Sequence, residues 1–119
     1  LNDELRRTGL VAILRGVRPD EVAEIGAALF AAGFRIIEVP LNSPDAMDSI
    51  RILRGRLSSE CLIGAGTVIS PAQVDEIRRA GGELIVMPHS DPAVIRAAKI
   101  ARLSVMPGVA TPTEAFAAL

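Results

Sequence analysis

The chain has no tryptophan, no tyrosine and only three phenylalanines. It therefore lacks the aromatic platforms on which single-stranded nucleic acid stacks. Charge gives no case for a polyanion either, since 13 basic residues stand against 14 acidic ones. The one cysteine, Cys61, cannot form an internal disulfide. In the apolar run Cys61-Leu62-Ile63 it reads as a buried structural thiol in a reducing cytoplasm. The one histidine, His89, has no cysteine or carboxylate neighbours at ligand spacing, so no metal is expected. No run approaches the ~18 apolar residues of a membrane-spanning helix, and the first residues do not form a signal peptide. The chain begins with Leu rather than Met, so residues preceding Leu1 are expected. These absences describe a soluble cytoplasmic chain with no nucleic-acid or membrane partner.

What is abundant is short apolar segments. Half of the 119 residues are hydrophobic, enough for about one domain. Strand-length runs recur at Leu10–Leu14, Phe34–Val39, Cys61–Ala65, Glu83–Met87 and Leu103–Met106. They are rich in Val, Ile and Leu without clean polar alternation, as parallel strands covered on both faces require. Between them fall helical spacings: Val22, Ile25 and Leu29; Met47, Ile50 and Leu53; Val74 and Ile77; Val94, Ile95 and Ala98.

Proline marks the helix starts, at Arg18-Pro19, Ser43-Pro44, Ser70-Pro71, Asp91-Pro92 and Thr111-Pro112. In the last four pairs a capping side chain precedes a proline at the first helical position. Ser70 with Gln73 and Thr111 with Glu114 have capping-box spacing. Gly33 and Gly81 stand where left-handed C-terminal caps belong.

The unit is thus strand, loop and proline-started helix, repeated five times within residues 1–119. Right-handed crossovers would lay the strands in one parallel sheet. Two architectures fit: an open doubly wound sheet, or the N-terminal five βα units of a (β/α)₈ TIM barrel. A complete barrel needs ~250 residues, or at least ~200. An open sheet would expose an apolar edge on each side. The expected form is therefore a partial barrel domain over residues 1–119, cut before its sixth strand.

In such folds functional groups collect at the C-terminal ends of the strands. There stand Arg15-Gly16, Glu38 with Asn42, Gly64-Ala65-Gly66-Thr67, Pro88-His89 and Pro107-Gly108. Glu38 is the most informative, because a buried ionised carboxylate costs several kcal/mol unless it is paired or used. Strand alternation puts Ile36, Glu38 and Pro40 on one face, and Val11, Ile13 and Arg15 on one face of the first strand. If both faces look inward, Arg15 and Glu38 converge. Arg15 then binds an anion through its guanidinium, or serves as the counter-ion of Glu38, and the two roles are compatible. Gly64-Ala65-Gly66-Thr67 lacks the third glycine and the lysine of nucleotide-binding loops. It is either a tight turn with a packed threonine, or flexible backbone that lets Thr67 reach a ligand. Lys99, the only lysine, lies three residues from both Arg96 and Arg102, on the polar outer stripe of its helix.

Ile13-Leu14-Arg15-Gly16, Glu38-Val39-Pro40-Leu41-Asn42-Ser43-Pro44, Gly64-Ala65-Gly66-Thr67-Val68 and Pro107-Gly108 with Thr111 and Glu114 come in one order. In that order they resemble the 2-keto-3-deoxy-6-phosphogluconate/phosphogalactonate aldolase family along nearly the whole chain. Gluconate-type members carry Arg where Asn42 stands, and the Leu-Asn-Ser-Pro run is similar to the phosphogalactonate branch. The resemblance implies a cofactor-free, metal-free class I aldolase, usually trimeric, that splits a phosphorylated keto-acid sugar into pyruvate and glyceraldehyde 3-phosphate. It further implies that Glu38 is the general acid/base, that Arg15 holds the substrate carboxylate, and that Thr67 lies against the keto-acid end. The family's Schiff-base lysine belongs to the sixth strand, so none is expected within residues 1–119, and this segment alone is expected to be inactive. The alternatives are a gluconate or 4-hydroxy-2-oxoglutarate aldolase and, outside enzymology, an inactive half-barrel used for assembly or binding.

Overall fold

A computed structural model describes residues 1–119. After a short helix α1 (Asn2–Thr8), strands alternate with helices. The order is β1 (Ala12–Ile13), α2 (Pro19–Ala31), β2 (Ile36–Pro40), α3 (Ala46–Arg56), β3 (Leu62–Gly66) and α4 (Pro71–Arg79). Then follow β4 (Leu84–Val86), α5 (Pro92–Ile100), β5 (Ser104–Met106) and α6 (Pro112–Ala117). All strand pairs are parallel and the spatial order is β1-β2-β3-β4-β5. A doubly wound sheet reverses direction at a switch point. This sheet never does, so its topology is that of five successive units of a TIM barrel.

Alternation along the strands separates two faces. Ile37, Val39, Ile63, Ala65, Ile85 and Met87 belong to one apolar core with Val22, Ile50, Leu53, Val74, Ile77, Val94 and Ala98 from the helices. Ile36, Glu38 and Pro40 occupy the opposite, inward face of β2 and are buried there too. That is why β2 reads as a continuous apolar run: both of its faces are covered.

The helix ends follow the sequence in most places. Ser70 and Thr111 head capping boxes with Gln73 and Glu114, and the Asp91 carboxylate accepts the Ala93 N–H at 2.7 Å. Gly33 adopts φ 101° and Gly81 φ 88°. Paired bonds from Gly33 to Phe30 and Phe34 to Leu29, and from Gly81 to Arg78 and Gly82 to Ile77, complete Schellman turns.

Three points differ from expectation. Ser43 does not cap a helix; α3 starts later, at Ala46, behind Asp45 in the left-handed region. Ser43 is instead buried, and its hydroxyl is taken by the loop after β1. Ile25 keeps 37% of its surface exposed, because α2 meets α3 through Gly26, whose missing Cβ leaves room for Leu53. Helix α1 is an added element whose residues are not buried.

Candidate active site

Glu38 is the centre of the site. It is the third residue of β2, in register with Ile13 of β1 and Gly64 of β3. Only 3% of it is exposed, and its Oε2 is buried without a hydrogen-bond partner. Burial pushes its pKa up to about 7, while the positive charge of Arg15 and the Gly66 backbone pull it part of the way back. Its carboxylate lies against Gly66, where any side chain would collide with it. The glycines of β3 thus have two uses. Gly64 lets β4 approach at Leu84, and Gly66 makes space for the acid.

Arg15 is carried by the loop that follows β1, the neighbour of β2. The Leu14 N–H donates to the Glu38 carbonyl at 2.9 Å, which hangs the loop carrying Arg15 from the backbone of Glu38 itself. The two side chains do not form a direct ion pair. Arg15 Nη1 instead donates to Asn42 Oδ1 at 2.9 Å. One residue further along each loop, the Gly16 N–H donates to Ser43 Oγ at 2.9 Å. No contact ion pair joins Arg15 to Glu38, and neither reading of Arg15 excludes the other. Its charge reaches Glu38 through space, and its remaining donors are free.

Thr67 follows the last residue of β3 in a conformation that its residue type resists. Its φ of 58° is left-handed, which is rare for a β-branched side chain. The turn is imposed from both sides: the Gly66 carbonyl accepts from Leu41 N–H at 2.9 Å, and Val68 N–H donates to Val86 at 3.2 Å. Such strain costs of order 1–3 kcal/mol and collects where a side chain must be aimed. Thr67 is half-buried beside Gly66.

The other candidates are peripheral. His89 is exposed in a shallow cleft of about 280 Å³ with Pro88, Gly108 and Glu114. No cluster of three metal-ligating side chains is present. Lys99 is exposed on α5, in the outer helix layer. The largest groove, about 710 Å³ between α4 and α5, lies outside the helix layer and contains none of these residues. No helix is long and apolar enough to cross a membrane. Reasoning from sequence missed the Arg15–Asn42 and Gly16–Ser43 links. Both span 27 residues and exist only because β1 and β2 are neighbours in this register.

Fold and site together are those of an enzyme-type half-barrel, with a buried acid in the middle of β2, short of the strand end expected for it, and an exposed arginine on the loop after β1. A profile of the KDPG and KHG aldolase family matches residues 1–119, and the chain belongs to that family. It is 50% identical over 109 residues to a probable 2-dehydro-3-deoxy-6-phosphogalactonate aldolase of Rhizobium meliloti, covering 92% of this chain and 51% of that protein. It is 48% identical over 110 residues to the 2-dehydro-3-deoxy-6-phosphogalactonate aldolase of Escherichia coli K12, covering 92% and 54%. A solved structure described as native KDPGal superposes with a TM-score of 0.86 at 49% identity, covering 91% of this chain and 52% of that one. The chain spans about half the length of the curated relatives it matches.

Proposed function

We propose that the protein carrying this chain is a class I aldolase that cleaves 2-dehydro-3-deoxy-6-phosphogalactonate to pyruvate and glyceraldehyde 3-phosphate. Residues 1–119 act in it as one part of a single barrel domain, within a cytoplasmic homotrimer. The observation that carries the reading is Glu38: a buried carboxylate poised at about 7, in the middle of β2 and within reach of the charge of Arg15. Its near-neutral pKa lets it both take and return protons.

The chemistry runs as follows. An amine adds to the C2 carbonyl, and Glu38 shuttles the protons that turn the carbinolamine into a protonated imine and water. The C4 hydroxyl then gives its proton to the Glu38 carboxylate as the C3–C4 bond breaks. The bonding pair moves into the imine as an enamine, and C4 leaves as the aldehyde of glyceraldehyde 3-phosphate. Glu38 returns the proton to C3, and water releases pyruvate. Arg15 holds the C1 carboxylate throughout, and Thr67 contacts the keto-acid end. The amine is assigned to a lysine outside residues 1–119, because Lys99 faces outward from α5.

Two assays test this reading. Cleavage of the galactonate substrate and of its C4 epimer, followed by pyruvate release, should differ in kcat/KM by about tenfold or more. Equal or reversed preference overturns the substrate assignment. Incubation with pyruvate and borohydride should fix a stable adduct on one lysine outside residues 1–119, and labelling of Lys99 would refute the assignment of the amine.

A further inference from the structure

Arg15 is an exposed side chain that has to meet a small anion in one orientation. Left alone, a guanidinium on a flexible stem samples many rotamers, and fixing it on binding lowers affinity. The structure holds it beforehand with one contact, the 2.9 Å bond from Nη1 to Asn42 Oδ1. Asn42 is itself placed by its neighbour. Ser43 is buried, accepts the Gly16 N–H at 2.9 Å, and closes a turn through its own N–H to the Pro40 carbonyl at 2.9 Å. The loops after β1 and β2 are therefore joined at two successive residues, with Arg15 on the outer link.

The chemical nature of the partner matters. A guanidinium only donates, so the Asn42 amide must present its oxygen. An aspartate would fit the same space and bond better, yet it would neutralise the cation. A neutral amide takes one of the five guanidinium N–H groups, leaving the full charge and the other donors available for a bidentate carboxylate. It also leaves intact the charge that acts on Glu38.

We propose that Asn42 is a positioning residue, whose neutral amide orients Arg15 toward the keto-acid carboxylate without quenching its charge. The proposal rests on the reading of Arg15 as the group that holds this carboxylate. Asn42→Asp keeps the shape and cancels the charge, whereas Asn42→Ala keeps the charge and releases the side chain. In the protein that carries this chain, Asn42→Asp should raise KM about 10–100-fold with kcat retained on the alkaline plateau. It should also move the limb of kcat/KM assigned to Glu38 to higher pH. Asn42→Ala should raise KM about 3–10-fold and leave the limb in place.

A purely structural role for Asn42 would change the melting temperature in both variants without separating KM from kcat or shifting the limb, and that result overturns the proposal. Calorimetric titration with pyruvate distinguishes its failure from failure of the substrate assignment. If the parent protein cleaves a different keto acid, pyruvate affinity should still fall in the order parent, Asn42→Ala, Asn42→Asp. Equal affinities in all three, or no pyruvate binding by the parent, overturn it.

Discussion

Gly66 is the floor on which the Glu38 carboxylate rests: a Cβ placed on Gly66 would come within 2.5 Å of three atoms of that carboxylate. The acid and the glycine are on adjacent strands, two register steps apart, with Pro40 opposite Gly66 and Glu38 opposite Gly64. A single methyl group at this point must displace either the acid or the strand. If Glu38 is the proton carrier proposed above, Gly66→Ala should lower kcat/KM about 10²-fold, the usual consequence of misplacing a reacting group by about 1 Å. Steady-state kinetics together with a melting curve check this. A folded variant with unchanged turnover would show that the carboxylate does not need this seat.

Glu38→Gln preserves the shape and removes the proton. Turnover should fall about 10²–10⁴-fold. In the parent, kcat/KM should rise with pH through about 7, since the proposed mechanism needs Glu38 ionised in the free protein to accept the C4 proton. The limb of kcat should lie lower, because a cationic imine beside Glu38 favours its charged form. A pH profile that keeps the limb near 7 in the glutamine variant would assign it to another group.

The same residue makes stability depend on pH, in a direction opposite to that of a paired carboxylate. Below its ordinary value of 4.5, Glu38 is neutral in both the native and the unfolded chain, and burial costs nothing extra. Between 4.5 and about 7 the unfolded chain releases the proton while the native protein keeps it, so native stability falls as pH rises. Above about 7 the penalty is complete, at most about 3 kcal/mol. Denaturant melts of parent and Glu38→Gln should therefore diverge between pH 4 and pH 8, with the variant gaining on the parent. A constant difference across that range would mean that Glu38 is not buried as described.

Thr67 should show function and stability pulling apart. Glycine adopts a φ of 58° freely, so Thr67→Gly should remove strain of about 1 kcal/mol and raise the melting temperature. The same change removes the hydroxyl assigned to the keto-acid end, and KM should rise. A less stable variant would mean that packing of the Thr67 side chain outweighs the strain of its backbone.

Gly26 offers a contrast remote from the chemistry. A side chain there would run into Leu53 at the α2–α3 contact. Gly26→Ala should cost about 1–3 kcal/mol by overpacking, with KM unchanged. Chemical denaturation and substrate titration separate the two effects.

Much of the layout is legible in the sequence, because it rests on local chemistry. Ser70, Asp91 and Thr111 cap their helices because a short polar side chain before proline satisfies the same orphan N–H groups in any context. The three central strand segments are visible because both faces of a parallel sheet are covered there, whereas Ile13 of β1 is 58% exposed and β5 is only half-buried, contrary to the expectation of two covered faces. Ser43-Pro44 looked like the same cap, and there the local rule lost. The Ser43 hydroxyl satisfies a neighbouring loop instead, a competition that no pattern within one segment can reveal.

By itself the sequence determined the succession of strands and helices and the shared face of Ile36, Glu38 and Pro40, both of which depend on spacing along one segment. Only the tertiary structure decided that Arg15 pairs with Asn42 rather than Glu38, that Gly66 seats the carboxylate, and that Thr67 is held left-handed. Those relationships join residues on different strands. Their distances follow from the register of β1 on β2 and β2 on β3, which cooperative packing of the whole sheet sets and no single segment encodes.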